Sequence, residues 1–184
     1  PIQWVNQDTQ VIEDLAVLDD EVKSSSELGI FFTSEDIFDD ETALFIHNFA
    51  NEQLAKHPED LLTASSMVTT VSYLLEIPGA GDVAPTGADV EAAYDVAPYD
   101  IQLSTTNVDE SAMNLIFRTG PGGLDARAAV VRDIRDTVTP PPGITATPSG
   151  LAVVGVGLLD NLEANRILLT YLAILFVFLF LTVR

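Results

Sequence analysis

The last stretch of the chain, 167–184, constrains it most. Seventeen consecutive uncharged, mostly apolar residues are followed by Arg184. A run such as LLTYLAILFVFLFLTV offers water no polar face, so it reads as a membrane-crossing helix rather than a strand or an amphipathic surface helix. At 1.5 Å per residue it covers about 26 Å, slightly short of a hydrocarbon core of about 30 Å. Thr170, Tyr171 and Thr182 are tolerable there, because a hydroxyl can donate to a carbonyl one turn back. The chain starts at Pro1 with no initiator methionine or signal peptide and stops at the far end of the apolar run. We therefore expect a segment of a larger membrane protein.

Charge divides the rest sharply. All 28 acidic residues lie at or before Glu163, together with six basic ones, which gives this part a formal charge of −22. Arg166 and Arg184 bracket the run. Such a balance repels nucleic acid and anionic membrane surfaces, so neither is expected as a partner. Only two lysines occur, and a surface of this kind suits high salt, where screening relieves the repulsion. A halophilic source is one expectation, and an ordinary acidic extracytoplasmic surface is the other. Cysteine is absent, which excludes disulfides and thiolate chemistry. About 165 residues before the run are enough for one domain with its own core.

Periodicity sketches that domain. Residues 8–24 place Val11, Leu15, Leu18 and Val22 on one line, an amphipathic helix with Asp8 as cap. Residues 28–33 alternate as a strand with apolar members on both faces, which suggests an inner position. A helix over 41–56 puts Leu44, Phe45 and Phe49 on one side and ends near Pro58. Residues 61–67 read as a strand, while 68–75 could be strand or helix. The stretch 76–108 reads as a loop insertion containing a weak helix near 89–95. Residues 111–119 alternate Met113, Leu115 and Phe117 against Asn114, Ile116 and Arg118, a strand closed by Gly-Pro-Gly-Gly. A helix follows, lined by Leu124, Ala128, Val131, Ile134 and Val138, then a short strand over 144–148. A last helix from about Val156 is expected to run unbroken into the apolar stretch, roughly 28 residues and about 42 Å.

Catalytic and cofactor signatures are missing. There is no Gly-x-Ser-x-Gly, no His-Glu-x-x-His, no phosphate-cradling GxxxxGK[ST] and no calcium loop, so the chain is not expected to be an enzyme or to carry a cofactor. His47 and His57 lie nearly three helical turns apart, too far for shared metal ligation. Arg127, Arg132 and Arg135 form the densest basic feature; they are expected to pair with Asp125, Asp133 and Asp136 on a solvated face rather than bind a substrate anion. No catalytic, cofactor-binding or metal residue is assigned, and for substrate contact Ile77, Val83 and Tyr99 are named only as apolar loop residues.

The order strand, helix, strand, then strand, helix, strand predicts an α+β fold of the split βαβ kind, with two helices on one face of an antiparallel sheet. In the order and spacing of WVNQDTQVIEDLAVLDDEVKSSSELGI, MNLIFRTG, RDIRDTVTPPPGITATPSGLAVVG and NRILLTYLAILFVFLFLTVR, nearly the whole chain resembles the resistance-nodulation-division (RND) exporters, in the branch of the mycobacterial membrane protein large (MMPL) type. The resemblance implies a ferredoxin-like extracytoplasmic porter domain over 1–164 and the following transmembrane helix over 165–184, the second or eighth of twelve. It also implies export of a lipophilic small molecule or lipid, driven by a proton or sodium gradient through carboxylates in other membrane helices. The implied partners are those other helices and the second porter domain, and the family pattern allows a homo-oligomer. Sec-associated translocation subunits, which are similar to RND proteins in their membrane helices, are one alternative. A single-span receptor with an extracytoplasmic ligand domain is the other.

Overall fold

The computed structural model describes residues 26–75, 83–107, 109–120 and 124–183. The expected helix over 8–24 and the turn residues 121–123 lie outside them, as does Ile77.

Among the described residues ten elements follow in order: β1 (Ser26–Thr33), α1 (Asp40–Lys56), β2 (Leu61–Ser65), α2 (Met67–Leu75), α3 (Gly87–Val96), α4 (Tyr99–Thr105), β3 (Ala112–Thr119), α5 (Leu124–Thr137), β4 (Thr145–Ser149) and α6 (Leu151–Val183). The fold is α+β. Its four strands form one antiparallel sheet ordered β2-β3-β1-β4. As expected, β1 is an inner strand. Leu28, Ile30 and Phe32 stand in register with Phe117, Leu115 and Met113 of β3, and all six side chains are buried. Period-2 alternation puts these residues on one face, where each contributes about 1.5–3 kcal/mol of burial. Phe49 of α1 meets Phe32 and Phe117 from above, with ring centroids 5.7 and 6.3 Å apart in edge-on geometry.

The face of α1 matches the expected one at Phe49 and the partly buried Phe45 and differs at Leu44. Ala43, Ile46, Phe49 and Ala50 are buried, whereas Leu44 is 47% exposed. The sheet covers one side of α1, and α2 and α3 cover another. The buried arc is therefore wider than the stripe seen in the sequence and takes in Ala43, Ile46 and Ala50 beside Phe49. Asp39 caps this helix: its carboxylate accepts from the backbone N–H groups of Glu41 and Thr42 at 2.7 and 2.9 Å and from the Thr42 hydroxyl. Residues 68–75, ambiguous in the sequence, belong to the helix α2, which also takes Met67 from the strand expected over 61–67; that strand ends at Ser65.

The stretch expected as a loop insertion with a weak helix near 89–95 holds two helices: α3, where that helix was expected, and α4. Val90 and Tyr94 of α3 belong to the core, and Tyr94 stacks at a tilt on Phe38, 5.2 Å between centroids. The start of α3 is held by a reciprocal cap: the Asp89 N–H donates to the Thr86 hydroxyl and the Thr86 N–H to the Asp89 carboxylate. The Gly87 N–H also donates to Asp40 at 2.7 Å, which joins the first turns of α1 and α3.

The strand expected over 144–148 is β4, one residue later. Gly150, at φ +94°, turns the chain from β4 into α6. That helix starts at Leu151, five residues before the expected Val156. It continues for 33 residues, about 50 Å, without a break. Ala152 and Val156 are buried against the domain. Ala164–Thr182, by contrast, is wholly unburied, with a mean hydropathy of 2.1; among the described residues it is the one helical stretch long and apolar enough to cross a membrane. Within it the Thr170 hydroxyl donates to the Arg166 carbonyl at 2.8 Å, and Thr182 likewise donates to Phe178.

Candidate functional site

The most structured polar cluster links α1, α5 and α6 just before the apolar stretch. α5 is amphipathic: Ala128, Val131 and Ile134 enter the core, which turns Arg132, Asp133 and Arg135 toward its neighbouring helices. Arg132 donates to the Asp160 carboxylate from Nε at 3.1 Å and from its terminal nitrogen, so the guanidinium engages it with two donors. Arg135 approaches the same carboxylate at 3.7 Å and Asp136 at 3.8 Å. On the other flank, Asp133 receives Lys56 at 2.6 Å and His57 at 2.8 Å, both from the end of α1.

Neighbouring residues of one helix thus hold two others. Arg132 grips α6, and Asp133 grips α1. Hydrogen bonding from Arg132 and the positive charge of both arginines outweigh partial burial and hold the Asp160 carboxyl below the usual carboxylate range. Lys56 first, then His57, does the same for Asp133.

This corrects the expected arginine pairing. The principal partner of Arg132 and Arg135 is Asp160 of α6 rather than the acids within their own helix, and Asp133 pairs with α1. Sequence separation hid this, because Arg132 and Asp160 are 28 residues apart and Asp133 and His57 are 76 apart. The side chain of Asp125 lies outside the described residues. Arg127, one turn earlier on α5, lines a small cavity with Leu28, Val131 and Ala152 at the start of α6.

The histidines stay apart, as their spacing implies. His47 is buried on α1, 3.2 Å from Asn51, while His57 reaches Asp133. Among the described residues no three His, Cys, Asp or Glu side chains gather as metal ligands. Of the residues named for substrate contact, Ile77 lies outside the described residues. Tyr99 is 68% exposed at the start of α4, and Val83 accepts the Ser72 hydroxyl on its carbonyl at 2.7 Å.

The cluster is chemically a tie between helices. Its charges are mutually neutralised, and it holds α6 in place over its first ten residues. No model of a known protein family matches the chain, and no curated protein matches it.

Proposed function

We propose that the chain is part of an RND exporter of the MMPL-like branch: an extracytoplasmic porter domain with the membrane helix that follows it. The observation that carries this reading is α6, one uninterrupted helix that begins in the core beside Ala152 and Val156 and leaves the domain as an unburied apolar rod. The strand order β2-β3-β1-β4 supports it. In that order each β-α-β unit takes one strand of the other between its own two, the ferredoxin-like arrangement such porter domains have.

In this reading the domain lines part of the path of a lipophilic molecule and moves as a rigid body with its helix. The apolar stretch from 167 to 183 holds no Asp, Glu, His, Lys or Arg, so ion coupling belongs to other helices of the parent protein. The test is efflux of a lipophilic dye from cells carrying the parent protein, with Ala164→Pro as the variant. Proline removes a backbone donor and kinks the helix between domain and bilayer. Efflux should fall at least tenfold while the protein still reaches the membrane. Unchanged efflux, or a parent with no further membrane helices and a signalling module instead, sinks the proposal and favours the single-span receptor.

A further inference from the structure

Val96 at the end of α3 is 83% exposed, and in α4 Tyr99 is 68% and Ile101 and Leu103 are each 47% exposed. α4 buries none of its residues. Four large apolar side chains left open within eight residues of an otherwise strongly acidic domain mark a surface that meets something apolar.

Hydrogen bonds fix this surface at one end of the sheet. α4 runs into Thr106, which bridges Met113, and the Asn107 side-chain oxygen accepts from the N–H groups of Ser111 and Ala112, both at 2.9 Å. Ala112 stands opposite Thr33, so α4 is attached where β1 ends and β3 begins. α3 is held at the same end, by the Gly87 N–H on Asp40 and by Tyr94 on Phe38. The Gln102 amide donates to the Tyr94 carbonyl at 2.8 Å and ties α4 to α3. The exposed Tyr73 and Leu74 at the end of α2 adjoin them, since the Ser72 hydroxyl donates to Val83 just before α3.

The apolar rod departs from that same end. α5 starts near Leu28, where Val130 and Val131 share a small cavity with it and with Ala152, and finishes with Thr137 and Val138 beside Phe45, which packs edge-on against Phe32 at 5.8 Å. α6 runs parallel to α5, because Ala152 sits level with Val130 and Asp160 with Arg132 and Arg135. From Leu28 to Thr33 is about 17 Å along the strand, and from Ala152 to Ala164 about 18 Å along the helix. The stretch that crosses the membrane therefore begins level with the end of β1, where α3 and α4 lie.

We propose that this end of the domain rests in the headgroup layer of the bilayer that α6 enters, with Tyr99, Ile101 and Leu103 against lipid. Tyrosine suits that depth, since its ring is apolar and its hydroxyl reaches water. Asp95 and Asp100 stay exposed among the apolar side chains, so the lipid met is zwitterionic; an anionic surface is repelled. The same repulsion, between two chains each carrying −22 before the rod, argues against a second copy on this surface. The contact gives the domain a second hold on the bilayer beside the rod. The inference rests on the rod crossing the membrane and does not depend on export.

The chain has no cysteine, so a single introduced thiol reports a single place. The experiment attaches a bimane fluorophore at Ile101→Cys, Leu103→Cys, Leu175→Cys or Leu62→Cys of the full chain in phosphatidylcholine nanodiscs and reads quenching by nitroxide lipids. Leu175 lies in the rod, and the exposed Leu62 lies at the opposite end of the sheet, next to the Leu61–Thr119 pair. A headgroup nitroxide should quench the labels at 101 and 103 at least threefold more than the label at 62, and a mid-chain nitroxide should quench the label at 175. Tyr99→Ser/Leu103→Ser, at exposed positions, should cut quenching at 101 at least threefold and leave 175 unchanged. Quenching at 175 without quenching at 101 and 103 overturns the proposal, because the rod then crosses while the end stands clear of lipid. Shielding of 101 and 103 from both the nitroxide lipid and a water-soluble quencher overturns it in favour of a second copy, and indifference to the serine variant overturns it as well. Absence of quenching at 175 removes the membrane-crossing rod, and the proposal and the exporter reading fall together; the other outcomes leave the exporter reading standing.

Discussion

At Gly87 a missing side chain decides how two helices meet. A Cβ built there would stand 1.8 Å from the Phe38 carbonyl oxygen and 2.8 Å from the Asp39 carbonyl carbon, both backbone atoms that cannot swing aside. Gly87→Ala must therefore push the start of α3 away from α1 and break the Gly87 to Asp40 hydrogen bond. We expect a loss of at least about 1–3 kcal/mol, the usual range for overpacking, read as a lower denaturation midpoint at unchanged slope. A midpoint equal to the parent's would show that the two helices are not in contact. This residue also shows what could be read in advance. Thr86-Gly-Ala-Asp89 is a capping-box pattern that marks a helix start, yet the surrounding alanines, glycines and aspartates lack a clear apolar stripe, and the region reads as a loop with only a weak helix near 89–95. Its apolar anchors are only Val90 and Tyr94, too few to register as a period.

Among the elements, β1, β3 and α5 were the most legible, because each buries a single face and so carries its period openly. α1 was read correctly as a helix with Phe45 and Phe49 toward the core, but Leu44 is left out, and Ala43, Ile46 and Ala50 did not stand out because the helix is covered from two sides. The ties that position α1 and α6 on α5 could not be read, because charge pairs across helices leave no mark in local spacing. Asp133 and Asp160 both have their carboxyl pKa lowered in the fold, so their pairing stabilises the protein above the unfolded value of about 3.9 and is lost as pH falls through the folded values. Both side chains keep about a third of their surface, 31% and 35%, so the effect is modest. We expect Asp133→Asn/Asp160→Asn to melt below the parent at pH 7, with the gap closing as pH drops from about 5 to below 3. A gap that stays constant across this range would show that ionisation does not power the ties.

For the molecule as a whole, the dominant force beyond its core is self-repulsion. A formal charge of −22 on the residues before the apolar run must be held at close range, and few cations are available to offset it. Raising potassium chloride from 0.1 to 1 M shortens the screening length from about 10 to about 3 Å. The melting temperature should therefore rise steadily over that range, as expected for a halophilic source. A flat or falling curve would favour the ordinary acidic surface. The α+β class and the apolar rod were both legible from the sequence, because strand alternation and an unbroken hydrophobic run are strong signals. The apolar end at α3 and α4 was not, since its place beside the departing rod exists only once the chain has folded.

Gly150 and Asp160 also define a lever. The glycine is the turn where α6 leaves the sheet, the carboxylate grips the rod about 15 Å along, and about 35 Å extend beyond. A rigid rod moved 1 Å at the grip moves roughly 3 Å at its tip, so a slight sliding of α5 is magnified at the far end of the apolar stretch. The reverse also holds: a push of several ångströms on the tip arrives at Arg132 as a small, forceful displacement.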